Sequence, residues 1–241
     1  MKGKFYGIGV GPGDPELLTL KALRVLKEAD MVCVPKSAAD RESLALSVIS
    51  QALNRRFTTL ELSFPMSRDR RVLEEHWARA GETVARQVRE GKVLAFVTIG
   101  DPLFYSTYGY VLRYLQEHHP DLPAETIPGV TAMNACAALL QEPLAEGEES
   151  LVVIPAAYGL DRLQDALDHF DNVVLMKVNR CWNQVLELLQ ERGLSTEATL
   201  VSRCGYPDQA VERQVDRLAG QELDYMSILI IRQGKVKGET P

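Results

Sequence analysis

The sequence predicts an α/β protein made of two α/β domains, and three observations lead to this prediction. Short apolar segments alternate with segments of helical periodicity along the chain. The segment VLAFVTIG (93–100) is continuously apolar, which is typical of strands covered on both faces of a mainly parallel sheet. The polar, proline-rich segment HHPDLP (118–123) separates two such regions. We therefore predict an N-terminal domain over residues 1–128 and a C-terminal domain over residues 129–241, with the boundary known to within about 15 residues.

Five strands and the helices between them are predicted in the first half. A short apolar run that stops at a loop of glycine and proline predicts the first strand, and the leucines that follow recur at helical spacing. Apolar and polar residues alternate in TTLELSF (58–64), which predicts the third strand. Gly91 is predicted to end an amphipathic helix. In chain order the predicted strands are 4–10, 31–35, 58–64, 93–100 and 125–130. The predicted helices are about 16–29, 43–53, 76–91 and 110–117. A further helix is predicted to be capped by Thr131 and to run through Ala138.

The second half repeats the alternation with four predicted strands. Each is rich in Val, Ile and Leu, and helical segments such as CWNQVLELLQERG (181–193) separate them. These strands are 150–156, 172–178, 198–204 and 225–232. A second α/β domain is therefore expected.

The charge balance argues against a nucleic-acid partner. The chain has 27 Lys and Arg residues against 33 Asp and Glu residues, for a net charge of −6. Such a surface does not grip a polyanion broadly. An anionic ligand must therefore be met by a local basic pocket.

The cysteines and the N-terminus predict a cytoplasmic protein with no membrane partner. None of the cysteines forms a CxxC pair, and a chain of this length needs no disulfide, so reduced thiols are expected at Cys33, Cys136, Cys181 and Cys204. The N-terminal apolar run is short and broken by glycine, unlike a signal peptide or a membrane span.

Four glycines lie in the segment GIGVGPG (7–13), between a predicted strand and a predicted helix. A dinucleotide-binding loop occupies the same place, so an NAD-dependent oxidoreductase has to be considered. The register does not fit GxGxxG, because either Pro12 or Asp14 falls where the third glycine belongs. No Gly-Lys pair is followed by Ser or Thr, so a P-loop is not present either. A tight turn without a ligand remains the structural alternative.

Two further loops follow predicted strands. GDPLFYST (100–107) places an acid and several hydrogen-bonding side chains at a strand's carboxyl end, and PGVTA (128–132) follows the next strand. In open α/β sheets ligands bind at that edge. Each loop alone is also typical of an ordinary strand–turn–helix junction.

Taken together, the three loops resemble the tetrapyrrole methyltransferase family in order and spacing. NVVLMKV (172–178) and VSRCGYP (201–207) extend the resemblance over nearly the whole chain. FPMSRDRRVLEEHW (64–77), IPGVTAMNACAALL (127–140) and LAEGEESLVVIPA (144–156) are most similar to members that methylate C-20 of precorrin-2 or of cobalt-precorrin-2 in cobalamin biosynthesis.

The resemblance implies S-adenosylmethionine as co-substrate, held in a cleft between the two domains. Because this molecule has no phosphate, the misfit to the dinucleotide pattern is consistent with it. The family's cofactor contacts fall on Pro12, Ile99, Gly100, Asp101, Phe104, Thr131, Ala132, Met176 and Gly205. From the residues alone, Met176 would be read as part of the core.

Methyl transfer to carbon requires alignment of the two reactants more than a catalytic nucleophile. The methylated carbon must then lose a proton, and Asp101, Tyr105 and Tyr108 lie on the loop expected nearest to it. We nominate Asp101 as the catalytic residue. Its alternative role is to hydrogen-bond the cofactor or to cap its own turn.

The implied substrate is rich in carboxylates, so local cations should select it. Lys36 and Arg41 follow the second strand and are expected at the sheet's carboxyl edge beside residues 11–14. The cluster of Arg68, Arg70 and Arg71 is either a second substrate contact or a solvated face. No protein-bound metal is expected, because His76, His118, His119 and His169 lack the spacing of a metal site; any cobalt would arrive with the substrate.

The family generally forms homodimers, and we expect one here. Three alternatives stay open: methylation of a different ring carbon, modification of a protein histidine derivative as in diphthine synthase, and a non-catalytic tetrapyrrole carrier. The intact second and third loops argue against the carrier.

Overall fold

A computed structural model describes residues 3–36, 43–65, 67, 69–156 and 160–233. The chain divides into two compact units, Met1–Thr131 (unit 1) and Ala132–Pro241 (unit 2). This division lies close to the expected one at 128/129. Each unit has its own sheet with helices packed on it, which confirms the predicted α/β class.

The described strands of unit 1 form a parallel sheet in the order β3-β2-β4-β1-β5. Their bounds are β1 Lys4–Gly9, β2 Met31–Lys36, β3 Thr59–Ser63, β4 Val93–Thr98 and β5 Ala124–Ile127. Because every neighbouring pair is parallel, all the carboxyl ends lie at one edge. β1 lies between β4 and β5.

The helices of unit 1 are α1 Leu20–Glu28, α2 Leu44–Leu53, α3 Arg70–Arg89 and α4 Tyr108–His118. The first predicted helix is split: Pro15–Leu17 forms a short 3-10 turn, and the Thr19 hydroxyl caps α1 by accepting from the Ala22 amide at 3.1 Å. α3 begins earlier than predicted because the Asp69 carboxylate caps it, accepting from the Arg71 amide at 2.9 Å.

Two apolar clusters cover the two faces of the unit 1 sheet. Ile8, Val10 and Val97 pack with residues of α1 and α2 on one face. Phe5 and Phe96 pack with residues of α3 and α4 on the other. The strands are therefore buried on both sides, as their continuous apolar sequences predict.

Tyr108 belongs to the second of these clusters, and its expected place on the ligand loop is wrong. Its side chain is fully buried, and its hydroxyl lies 2.8 Å from the Thr126 hydroxyl. Burial raises the pKa of Tyr108. A Cβ atom on Gly7 would overlap the Tyr108 ring, so this glycine of β1 makes room for the core rather than for a ligand.

The described strands of unit 2 form a mixed sheet in the order β6-β7-β10-β8-β9. β6 and β7 are parallel, whereas β10 is antiparallel to both β7 and β8, and β9 is antiparallel to β8. Their bounds are β6 Leu151–Pro155, β7 Asn172–Met176, β8 Ala198–Ser202, β9 Ala210–Glu212 and β10 Ser227–Arg232. β9 was not predicted, because three partly exposed residues carry no periodic signal.

The helices of unit 2 are α5 Ala132–Leu140, α6 Asp161–His169 and α7 Trp182–Glu191. Leu175, Leu189 and Leu229 are fully buried in a core that also contains Trp182, whose indole Nε1 donates to the Leu218 carbonyl at 2.8 Å. In the described part of either unit, no helix is both long enough and apolar enough to cross a membrane.

Substitution of Gly7 by alanine tests the packing of Tyr108 against β1. We expect Gly7→Ala to lower the free energy of unfolding by about 1–3 kcal/mol, because the new methyl group must displace a fully buried ring. Gly109, which follows Tyr108 in α4, is the matched control. Its Cβ would meet no atom within 4 Å, so Gly109→Ala should raise stability by about 0.5–1 kcal/mol. Denaturant unfolding measures both, and a Gly7→Ala variant as stable as the wild type would contradict this packing.

Candidate functional site

Three loops leave the carboxyl ends of three adjacent strands in unit 1. The first loop (10–14) follows β1, the second (99–107) follows β4 and the third (128–131) follows β5. Since β1 lies between β4 and β5, its loop is flanked by the other two. The structure thus brings together the three glycine-containing motifs that the sequence sets about thirty to ninety residues apart.

Backbone atoms of the three loops meet at glycines. A Cβ on Gly9 would lie 2.7 Å from the Gly129 nitrogen, and a Cβ on Gly129 would lie 2.7 Å from the Gly9 carbonyl carbon and closer still to the Gly100 oxygen. No side chain fits at either position. We call this contact of Gly9, Gly100 and Gly129 the glycine junction.

A short antiparallel bridge joins the first and second loops. The Gly100 amide donates to the Gly11 carbonyl at 2.7 Å, and the Gly11 amide donates back at 3.4 Å. Both residues have positive φ, +79° at Gly11 and +71° at Gly100. Gly9 and Gly11 of the first motif therefore serve close packing of loop backbones.

Asp101 links the second and third loops. Its side chain is half-buried, and one carboxylate oxygen accepts from the Gly129 amide at 3.1 Å while the other accepts from the Leu103 amide at 2.8 Å. The second bond caps its own turn, as expected for the non-catalytic alternative. The first bond crosses between loops, which the sequence alone does not indicate.

The tip of the second loop presents apolar surface. Leu103 is 61% exposed and Tyr105 is 47% exposed, and the Tyr105 ring lies 4.8 Å from the Phe104 ring, centre to centre. Tyr105 has φ +52°, unusual for a residue with a side chain. Below the tip, the Ser106 hydroxyl bonds to the Thr98 hydroxyl and to the Tyr108 amide, both at 3.2 Å. Hydrogen bonds of Ser106 thus hold the end of the loop that follows the apolar tip.

The other predicted cofactor contacts of unit 1 lie on these loops. Pro12 is buried in the first loop, Ile99 and Phe104 are half-buried in the second, and Thr131 ends the third directly before α5.

The predicted contacts of unit 2 occupy strand and helix ends. Ala132 is the first residue of α5, and Met176 is the last residue of β7. Gly205 follows β8 with φ +83°, and its amide donates to the Gln209 side chain at 3.1 Å. Because β7 and β8 are both antiparallel to β10, Met176 and Gly205 lie at the same edge of the unit 2 sheet.

Lys36 lies at the carboxyl edge of the sheet, as predicted, but its strand is not adjacent to β1, which leads into residues 11–14. Lys36 ends β2, β4 separates β2 from β1, and the Lys36 ammonium donates to both carboxylate oxygens of Glu61 at 2.9 Å. Arg41 lies outside the described residues, as does Arg68. Arg70 pairs with Glu74 at 2.7 Å, and Arg71 is exposed in the first turn of α3.

The turn after Met176 has unusual features that no sequence motif indicates. Lys177 has φ +58° and a half-buried side chain. Burial, and then the nearby Arg180 charge, lower the pKa of Lys177. The available signal was a lysine and an arginine shortly after an apolar strand, a pattern too common to indicate a site by itself.

The histidines and cysteines supply no further site among the described residues. No group of three or more His, Cys, Asp or Glu side chains there is arranged to hold a metal ion. All four cysteines are free thiols. Cys136 and Cys204 hydrogen-bond each other within unit 2, which raises the pKa of Cys136 and lowers that of Cys204.

Comparison with known families identifies the class of protein. The family model of the tetrapyrrole (corrin/porphyrin) methylases matches residues 4–218. The chain belongs to this family, which confirms the resemblance carried by the three loops.

Two relatives and one solved structure are similar to this chain over nearly its whole length. The chain is 37% identical over 234 residues to a probable cobalt-precorrin-2 C(20)-methyltransferase of Methanocaldococcus jannaschii, covering 96% of this chain and 97% of that protein. It is 31% identical to the cobalt-precorrin-2 C(20)-methyltransferase of Salmonella typhimurium, covering 97% and 98%. Uroporphyrin-III C-methyltransferase from Thermus thermophilus, solved in complex with S-adenyl homocysteine, has the same fold with a TM-score of 0.67 at 21% identity, covering 95% and 96%.

Removal of the Asp101 carboxylate tests the link between loops. We expect Asp101→Ala to lower the free energy of unfolding by about 2–3 kcal/mol, because two backbone amides lose a charged acceptor. Asp14→Ala is the control: the Asp14 carboxylate accepts the nearby Glu16 amide at 2.8 Å, so its loss should cost about 1 kcal/mol. Denaturant unfolding measures both variants. If Asp101→Ala and Asp14→Ala lower the free energy of unfolding by the same small amount, the hydrogen bond from the Gly129 amide contributes little to stability.

Proposed function

We propose that this chain transfers the methyl group of S-adenosylmethionine to C-20 of precorrin-2 or cobalt-precorrin-2 in cobalamin biosynthesis. The observation that carries the proposal is the similarity over nearly the whole length to two proteins named for this reaction. Both names specify the cobalt form, which favours cobalt-precorrin-2 as substrate. The cobalt belongs to that substrate, so no metal bound by the protein is required.

For the cofactor, the proposal rests on the chemistry of the loop edge. S-adenosylmethionine offers an adenine, a ribose and an amino-acid group but no phosphate. The glycine junction packs the three loop backbones together at the carboxyl edge of the sheet, and the half-buried Ile99 and Phe104, with the buried Pro12, are the proposed apolar contacts beside it. Gly100, Asp101 and Thr131 supply the polar part. The expected contacts at Ala132, Met176 and Gly205 are part of the same proposal.

The chemistry asks the protein mainly to align two reactants. A reduced tetrapyrrole is electron-rich at its meso carbon, which attacks the methyl carbon in line with the departing sulfur; the sulfonium charge disappears as the carbon–sulfur bond breaks. Such a step needs no enzyme nucleophile. The exposed apolar tip, Leu103 and Tyr105 with Phe104, suits the flat face of a tetrapyrrole.

The methylated carbon must then release its proton to an acceptor. Asp101 remains our nominated group, and its two backbone hydrogen bonds hold the carboxylate in one orientation. Tyr105 at the tip is the second candidate. Tyr108 is no longer one, because its hydroxyl is buried in the core.

Arg41 and Lys36 stay proposed contacts for the substrate's carboxylates. For Lys36 the pairing with Glu61 means that its ammonium must exchange one carboxylate partner for another. The gain from such an exchange is smaller than the gain from engaging an unpaired cation. Lys36 is therefore expected to contribute less to substrate binding than an unpaired cation would.

Incubation of the purified chain with S-adenosylmethionine and cobalt-precorrin-2, or metal-free precorrin-2, tests the proposed reaction. We expect one methyl group to be added at C-20, identified by mass spectrometry and by carbon-13 labelling of the methyl donor. Calorimetry should find about one S-adenosylhomocysteine bound per subunit and no measurable binding of NAD or ATP. Methylation at another ring carbon would contradict the C-20 assignment, and NAD binding without S-adenosylhomocysteine binding would contradict the proposal altogether.

We further propose a cytoplasmic homodimer, on the family resemblance and on the four free thiols. Sedimentation equilibrium should give twice the 26.8 kDa chain mass at micromolar concentration. A single-chain mass over that range would contradict the dimer.

A further inference from the structure

The turn after β7 holds two cations that no carboxylate neutralises in the part of the chain that the structure describes. Lys177 and Arg180 lie close enough for the charge of one to act on the other. Four arginines of unit 2 are paired instead: Arg203 with Asp208 and Asp224, and Arg192, Arg213 and Arg232 each with one acid. A half-buried lysine beside an arginine, with no acid partner, is an unfavourable arrangement that a bound anion would relieve.

The backbone holds this turn in a defined conformation. Lys177 adopts left-handed backbone angles, φ +58° and ψ 35°, which a residue with a side chain rarely adopts. Val178, the next residue, is fully buried in the core of unit 2 and begins a 3-10 turn that ends at Arg180. The strained residue therefore lies between a strand and a buried anchor. Strain of this kind is concentrated at binding and catalytic sites.

A buried polar atom in the same turn also lacks a partner. The side-chain oxygen of Asn179 is buried and accepts no hydrogen bond from the residues described. An unpaired buried acceptor is uncommon in folded proteins and calls for an explanation such as a ligand donor. The turn thus offers two cationic donors and one acceptor.

The position of the turn connects it with the proposed site. It begins directly after Met176, at the edge of the unit 2 sheet where Gly205 also lies. Met176 and Gly205 are the proposed cofactor contacts of this unit. An anion bound by Lys177 and Arg180 would therefore belong to one of the two reactants.

We propose that Lys177 and Arg180 bind a carboxylate of a reactant, and that they are binding residues of the methyltransferase site. The inference rests on the proposed function. The carboxylate comes either from the amino-acid group of S-adenosylmethionine or from an acetate or propionate side chain of the tetrapyrrole, and the two sources are separable by experiment. Both cations donate hydrogen bonds to a carboxylate, and the arginine does so through two nitrogens.

The test uses Lys177→Gln, Arg180→Gln and the double variant, each of which removes charge while keeping a polar side chain. Lys177→Arg keeps the charge and should restore most of the lost affinity. Lys92→Gln is the matched control, because Lys92 is exposed and lies just before β4, at the opposite edge of its sheet from the loops. Circular dichroism checks folding. Should Lys177→Gln fail to fold, the exposed Arg180 still permits the test.

Three ligands distinguish the sources: S-adenosylhomocysteine, 5′-methylthioadenosine, which lacks the carboxylate, and cobalt-precorrin-2. If the cofactor supplies the carboxylate, the Kd of S-adenosylhomocysteine should rise roughly ten- to a hundredfold in the double variant, with no change for 5′-methylthioadenosine. If the tetrapyrrole supplies it, the KM of cobalt-precorrin-2 should rise by a similar factor, with kcat within a few fold and S-adenosylhomocysteine affinity unchanged.

Unchanged Kd and KM in the folded double variant would overturn the inference, as would equal losses for S-adenosylhomocysteine and 5′-methylthioadenosine. These outcomes presuppose an active wild type. A wild-type protein that neither binds S-adenosylhomocysteine nor methylates the tetrapyrrole would instead overturn the proposed function. The two failures are therefore distinguishable.

Discussion

The glycine junction is the constraint on which the loop edge of unit 1 depends. Three loop backbones approach one another so closely at Gly9, Gly100 and Gly129 that no Cβ fits at the first or the last of them. The approach is possible because β4, β1 and β5 are neighbours in a parallel sheet and release their loops at one edge. Asp101 then fixes the second loop to the third, and the Gly11–Gly100 bridge fixes it to the first. The three loops are thereby held together at one edge of the sheet.

Much of the fold was predictable because its signals are local. Apolar strands buried on both faces, capped helices and glycine-ended helices are properties of short segments, and each predicted strand of unit 1 is found. The exceptions have physical causes. β9 is three residues long and mostly exposed, and the antiparallel placement of β10 depends on tertiary pairing that no local pattern encodes.

The site was predictable in its backbone and less so in its side chains. The glycine motifs could be aligned in order, because a glycine required by a close approach leaves a mark in the sequence. Side-chain partners leave no such mark: Glu61 pairs with Lys36 across β2 and β3, and Tyr108 turns into the core under Gly7. The unpaired state of Lys177 likewise appears only when all its neighbours are known.

Charge shapes how an acidic protein would bind an acidic substrate. With a net charge of −6, the chain repels a polycarboxylate at long range, so recognition has to come from a few desolvated cations at short range. Lys36 is already engaged by Glu61, whereas Lys177 and Arg180 have no acid partner among the described residues. Lys177 differs from the exposed cations of the chain because its side chain is half-buried, so an anion that arrives with a reactant would relieve the cost of burying its charge.

Hydrogen–deuterium exchange of the wild-type protein with and without S-adenosylhomocysteine tests the central claim, that the glycine junction and its loops form the cofactor site. We expect slower exchange of backbone amides in residues 9–13, 99–105 and 128–132 at saturating ligand. Exchange should not change in α1 or in the C-terminal half of α3, which leads to the start of β4 at the edge opposite the loops. Saturation binding that leaves these three segments unprotected, with protection elsewhere in the chain, would contradict it.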